Sequence, residues 1–185
     1  MVYHVVRYEG EFGFIKPWTA VRDGETFSQQ FLTPSIIEGI RQKLEVESIL
    51  RHKLLYHGIS VQQETVRARA FGKRAKGKLG LETSILKRGV MIHPCLYLAF
   101  SKKADGEKAS REHICLCRNE DLLLPKGGCL TMKEEEFDKL KGFELRFGMT
   151  DKSFMVGYNR FDDNKPMYGW IEITGKPTAE TNDEV

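Results

Sequence analysis

Two stretches of this chain carry the marks of a helix and eight or nine carry those of a strand, and that ratio decides the fold class. The clearest helix start is Thr33-Pro34-Ser35. Thr33 suits an N-cap that accepts a free amide, Pro34 fits the first helical position, and Ser35-x-x-Glu38 offers an alternative capping box. Ile36, Ile37, Ile40 and Leu44 recur on one helical face, which predicts an amphipathic helix over Pro34 to Leu44. Gly39 inside it costs roughly 1 kcal/mol relative to Ala, a cost that points to a close backbone approach. A second helix is predicted from Lys133 to Lys141, capped by Thr131-x-x-Glu134 and stopped by Gly142. Glu134-Glu135-Glu136 is then its acidic first turn.

The remainder reads as extended chain between turns. Val2 to Tyr8 opens as a β-branched and aromatic strand, followed by Phe14 to Trp18, Ile49 to Tyr56 and Ile59 to Gln63. Gly89 to Phe100 is the most apolar stretch and reads as one long strand, with Pro94 at an edge or a bulge. Glu112 to Arg118, Leu122 to Leu124, Cys129 to Met132, Phe143 to Phe147, Ser153 to Tyr158 and Tyr168 to Thr174 complete the set. Strands in this excess imply an α+β fold with a mainly antiparallel sheet. The 185 residues, 41% of them hydrophobic, suit a single domain over 1–175, followed by a flexible acidic tail over 176–185. No apolar run approaches the roughly 18 residues of a membrane span, and the N-terminus lacks the pattern of a secretory signal. The expectation is therefore a cytoplasmic protein without a membrane partner.

Charge is distributed unevenly. The net excess is only +3, yet Val66 to Lys78 reads VRARAFGKRAKGK and holds six cations and no acid. These are Arg67, Arg69, Lys73, Arg74, Lys76 and Lys78, with Lys87 and Arg88 shortly after. Strand alternation would set Arg67 and Arg69 on one face. A solvated hairpin whose charges only aid solubility is the plainer explanation. Six cations in so short a run within a nearly neutral chain favour a polyanion instead, because each phosphate neutralised releases counterions. Single-stranded RNA would also want stacking planes, for which Phe14, Trp18 and Phe71 are candidates.

His93-x-Cys95 and His113-x-Cys115-x-Cys117, with Cys129, have the residue types of a zinc site but not its spacing, and buried thiols are the preferred reading. No cofactor motif is found. Metal-independent acid–base chemistry on RNA needs only a base for the 2′-hydroxyl and an acid for the leaving oxygen. His52, His57 and His113 qualify by type.

The N-terminal third resembles a known family. An opening strand runs into Lys16-Pro17-Trp18, then Gly24-Glu25-Thr26-Phe27-Ser28-Gln29-Gln30-Phe31-Leu32-Thr33-Pro34-Ser35, then a helix with Gly39-Ile40, a strand at Ile49 to Tyr56, and a polar stretch through Gln63-Glu64. This is similar to the CRISPR-associated RAMP proteins, specifically the subunit that caps the crRNA 5′ handle in type I (Cascade) complexes, closest to the type I-C branch. The similarity covers about residues 2 to 65, with a fainter echo at Pro166-x-x-Gly169-x-x-Glu172. It implies a ferredoxin-like (RRM-like) core carrying a protruding basic hairpin, here an insertion over about 64–90. It also implies crRNA and the backbone and large Cascade subunits as partners, with no cofactor. Phosphate contacts would come from Arg67, Arg69, Lys73, Arg74, Lys76 and Lys78, supported by Lys16, Arg22, Lys87 and Arg88, with Trp18 and Phe71 beside the bases.

Type I-C members often process precursor crRNA with a tyrosine late in the first helix and a lysine–histidine pair further on. Those positions fall here near Glu45 and at Glu112-His113, so of that set only His113 is retained. The expectation is thus a crRNA-binding structural subunit. One alternative is a metal-independent endoribonuclease using His113 or His52 and leaving a 2′,3′-cyclic phosphate. Another is a mimic that occupies the subunit's place in Cascade.

Overall fold

Val2–Glu9 alternates buried and accessible side chains and forms the first strand, β1, in the interior of a large sheet in the computed structural model, which describes residues 1–17, 24–73, 79–159 and 162–178. Next come β2 (Phe12–Gly13), β3 (Glu25–Phe27), α1 (Pro34–Leu44), β4 (Arg51–Leu55), β5 (Gly58–Lys73), β6 (Leu79–Ile92) and β7 (Cys95–Phe100). The chain continues through α2 (Lys103–Ala109), β8 (Ile114–Cys115), β9 (Leu122–Lys133), α3 (Glu134–Lys139), β10 (Gly142–Phe147), β11 (Phe154–Asn159) and β12 (Lys165–Thr174). The main sheet runs β11-β12-β10-β4-β7-β1-β9-β8, with every pair antiparallel.

Inside that order lies a β-α-β-β-α-β unit. β1, α1, β4, β7, α2 and β9 follow one another, and their strands stand in the order β4-β7-β1-β9. Each helix thus links two strands that flank a third, which is the split βαβ arrangement of a ferredoxin-like fold. The expected α+β class with a mainly antiparallel sheet holds. β5 and β6 are inserted between β4 and β7 and form a second sheet with β2 and β3.

Period-two alternation divides the main sheet into two faces. Val6, Tyr8, Leu54, Leu98 and Phe100 point to one side and make the larger core with Ile40, Leu44 and Ala109 of the two helices. Tyr3, Val5 and Ala99 point to the other side and pack under Phe137 of α3.

There are three helices among the described residues rather than the expected two. α2 escaped the sequence pattern because small residues, Gly106 and Ala109, attach it. A Cβ on Gly106 would lie 2.5 Å from Cys129 Sγ, so the glycine lets the helix sit against β9. The Tyr8 hydroxyl donates to the Ala109 carbonyl at 2.7 Å and ties down its far end. α1 has the predicted bounds with Thr33 at the N-cap, but Thr33 makes no side-chain cap and its hydroxyl instead pairs with Ser35 Oγ at 3.0 Å. Glu38 does not close a capping box; both its oxygens bind Arg41 at 2.8 Å. Gly39 faces open space, which removes the close approach expected of it.

α3 is capped two residues later than predicted. Its N-cap is Lys133, whose amide donates to Glu136 Oε2 at 2.6 Å, and Thr131 stays in β9. The apolar run from Gly89 to Phe100 is two strands, broken where His93 takes φ 45° before Pro94. Leu122 to Leu124 and Cys129 to Met132 are one strand, interrupted by a bulge at Gly127-Gly128, both with φ above 70°. Of Glu112 to Arg118 only Ile114–Cys115 is strand.

Candidate nucleic-acid interface

Residues 66–73 of the basic segment lie on the longest strand pair among the described residues. β5 and β6 pair from Gly58↔Ile92 to Lys73↔Leu79. β2 and β3 flank β6 only between Lys87 and Ile92. Among the described residues the ribbon is therefore two-stranded from Thr65 outward, and at about 3.3 Å per residue it reaches roughly 30 Å to Lys73. Between Arg67↔Thr83 and Phe71↔Leu81, three residues of β5 stand against one of β6. That irregularity is a bulge in the backbone ladder. Arg67, Arg69, Phe71 and Lys73 thus have their backbone in β5. Trp18, Arg22, Arg74, Lys76 and Lys78 lie outside the described residues.

A two-stranded ribbon is marginal alone, so its root has to be held. Glu64 on β5 accepts from Arg88 Nε at 2.7 Å and also pairs with Arg118. Arg118 is in turn fixed by the fully buried Asp121, at 2.6 and 2.9 Å. Both guanidinium groups lie over the ring of Phe14, 5.1 and 5.4 Å from its centroid. Phe14 is 1% exposed and is a core residue, so it offers no stacking plane to RNA. Arg88 belongs to this root cluster. Lys16 and Lys87 are exposed. Sequence reading had no way to find Arg118 and Glu64, because the contact joins residues far apart in the chain.

The nucleophile-activating candidates separate clearly. His52 is fully buried on β4, where its Nε2 accepts from the Leu145 amide at 3.4 Å. Burial, reinforced by the neighbouring Arg51 charge, lowers its pKa to about 3. A neutral imidazole out of reach of solvent cannot take a proton from RNA, which removes His52 as a base. It does create a pH dependence. The unfolded chain protonates His52 near pH 6.5 and the folded chain does not, so stability present above pH 6.5 falls as pH drops toward about 3. This group alone should cost about 2 kcal/mol between pH 7 and 5. Denaturant midpoints at the two pH values should show the loss, and His52→Gln, which keeps an acceptor for Leu145, should remove it. An identical pH slope in the variant would refute the assignment.

His113 is exposed just beyond α2. Its neighbour Glu112 pairs with Lys43 at 3.7 Å, and Glu45, in the left-handed C-cap of α1, pairs with Lys108 at 2.7 Å. Glu45 and Glu112 therefore tie α1 to α2 and its following turn. His57 and His93 meet ring to ring at 5.1 Å beside the ribbon's root. All four cysteines are free; Cys95 is buried and Cys117 is exposed, against the expectation of uniformly buried thiols. Among the described residues no group of three His, Cys, Asp or Glu side chains is placed to hold a metal ion, and no helix is long and apolar enough to cross a membrane.

Beside the ribbon's root, the part of the α3-bearing sheet face that α3 leaves uncovered sinks into a cavity of about 550 Å³. Arg7 and Glu9 of β1, Tyr97 of β7, Leu55 at the end of β4, and Leu124 and Lys126 of β9 line it. Nothing in the sequence reading singled these residues out. Their only signal was the two-residue spacing of Arg7 and Glu9 in the opening strand.

A solved chain described as "CRISPR RNA-guided surveillance complex" superposes with a TM-score of 0.54 at 12% sequence identity, over 93% of this chain and 90% of that one. No family model matches the chain, and no curated protein does. With residue identity so low over nearly the whole length, the likeness is one of fold alone.

Proposed function

We propose that this chain is an RNA-binding structural subunit of a CRISPR effector complex of the Cascade type, a RAMP protein that holds the 5′ handle of the crRNA. The observation that carries this reading is the placement of the basic segment. Its described part, residues 66–73, falls on a two-stranded ribbon that runs on from a ferredoxin-like core, and the chain shares its fold with a surveillance-complex chain. A cationic ribbon of this reach suits several consecutive phosphates of one strand, with bases turned away from it for readout by the core. In this reading residues 1–175 act as one domain whose insertion at 64–90 is the RNA grip. Arg67, Arg69, Lys73, Arg74, Lys76 and Lys78 contact phosphate, with Lys16, Arg22 and Lys87 as outlying cations, Trp18 and Phe71 beside bases, and Arg88 bracing the root. The backbone and large subunits of the complex are its protein partners, and the cytoplasm is its compartment. In this reading the chain groups with the type I-C branch, which its N-terminal pattern resembles.

The cleaving alternative rests on His113 alone, since His52 is buried and the acids near it are engaged in helix-joining pairs. The decisive experiment is to purify the full chain and sequence the nucleic acid that accompanies it. Short RNAs sharing one 5′ segment are expected, with affinity that falls steeply as salt rises. A chain that neither carries RNA nor binds single-stranded RNA at low salt would sink the proposal. Metal-independent cleavage of repeat RNA, lost in His113→Ala, would replace it with the enzyme.

A further inference from the structure

The cavity beside the ribbon's root has an internal order that the strand register explains. Lys53, Tyr97, Arg7 and Lys126 stand directly opposite one another across β4, β7, β1 and β9. The next row is Leu55, Cys95, Glu9 and Leu124. Residues paired across antiparallel strands share a face, so the two rows form one floor. Toward the other end of the sheet the same face is closed, because Phe137 of α3 packs on Tyr3, Val5 and Ala99. The α3 end of the face is thus closed, with Lys53 of the first row drawn under the end of α3, and the part holding the rest of these rows is left concave.

Its chemistry is selective. A half-buried aromatic ring, Tyr97, lies beside a guanidinium, Arg7, which is ion-paired with Glu9, while Leu55 and Leu124 supply apolar walls. The three acids of the lining, Glu9, Glu11 and Glu120, outnumber Arg7 and Lys126, so the cavity is not a phosphate trap. A flat ring with a mixed donor and acceptor edge fits it better. A carboxylate offers two acceptors in parallel. Among the four bases, guanine alone sets two N–H donors side by side, N1–H and N2–H, next to an acceptor, O6.

We propose that this cavity is a base pocket for one unpaired guanine of a single-stranded RNA. The ring stacks on Tyr97, Glu9 accepts from N1–H and N2–H, and Arg7 donates to O6. Lys126, at the open end of its row, meets the adjoining phosphate. The site deepens the RNA-binding reading and rests on it for its physiological ligand, but it is separate from the cationic ribbon and independently measurable. Its volume lies within the range of about 300–1,000 Å³ usual for small-ligand sites.

The test is a titration of the full chain with GMP, AMP, CMP and UMP, followed by the NMR resonances of Tyr97, assigned through Tyr97→Phe. GMP is expected to shift them at concentrations where the other three do not. Glu9→Gln, which keeps the size but loses one acceptor and the charge, should weaken GMP at least ~10-fold, in line with the strength of hydrogen bonds to charged groups. Leu124→Trp, at a site already 49% exposed, should fill the cavity. It should abolish any preference for guanine-containing over guanine-free oligonucleotides while leaving the salt dependence of RNA binding unchanged. Equal shifts from all four mononucleotides, or none from GMP while RNA still binds with a salt slope, would overturn the pocket and spare the ribbon. Loss of all RNA binding with GMP still moving Tyr97 would do the opposite.

Discussion

Replacing Arg67, Arg69, Lys73 and Arg74 together with alanine is expected to lower affinity for single-stranded RNA by roughly 10²–10³-fold at 0.1 M salt. It should also flatten the plot of log affinity against log salt. Each phosphate contact on a single strand contributes up to ~0.7 to that slope, so four contacts amount to nearly 3. The physical source is counterion release, which needs cations close to phosphates and not merely a positive protein. The net charge of +3 is too small to produce such a slope from the field of the whole molecule. Arg88→Ala provides the contrast. Its guanidinium is held by Glu64 and lies over Phe14, so its removal should loosen the root and leave the slope nearly intact. A quadruple variant with unchanged slope would show that the ribbon does not touch RNA, whatever happens to stability.

The parts of the fold that were legible in the sequence were those with a local cause. α1 was placed to the residue because Thr33-Pro34 opens it and an apolar stripe at 3.6-residue spacing continues it. The ribbon was anticipated as a basic insertion, although the strand was expected to stop at Gln63 and in fact runs on to Lys73. Charged residues carry no strand signal, and cross-strand pairing with β6 overrides their weak propensity. α2 was missed because it docks through Gly106 and Ala109 and leaves no hydrophobic period to read. Leu122 to Leu124 and Cys129 to Met132 read as separate strands, with Gly127-Gly128 between them. Both glycines adopt positive φ within one bulged strand, and β1 continues its pairing on either side. At the candidate site the cations were visible as a cluster. The cavity was not, because Tyr97, Arg7 and Lys126 become neighbours only through register, and single-sequence patterns do not report register.

The same register builds the element on which the sheet's closed half depends, and Arg51→Met should expose it. Arg51 is 7% exposed and donates twice to Glu144, at 2.7 Å each, while a third contact reaches Asp138 at 2.6 Å. Its guanidinium also lies 4.8 Å from the centroid of Phe137. One side chain on β4 thereby clamps β10 and α3, and the surrounding acids hold its pKa above the ordinary arginine value despite burial. Lys53, two residues on, donates to the Asp138 and Leu140 carbonyls and to the Thr174 hydroxyl at 2.7 to 3.0 Å, which fastens the end of the same helix. Removing Arg51 leaves the Glu144 carboxylate, 2% exposed, without its counter-charge. Breaking a buried pair in this way costs about 3–5 kcal/mol, mostly as the penalty on the charge left behind. Glu144→Leu added to Arg51→Met should therefore recover much of the loss, because the paired ions repay little more than their own desolvation. Urea unfolding of the three variants at pH 7 measures this directly. If Arg51→Met alone cost under 1 kcal/mol, or if the double variant were no more stable than the single, α3 would owe its position to Phe137 packing and not to the ion pair. The open half of the sheet face would then keep its shape without the clamp.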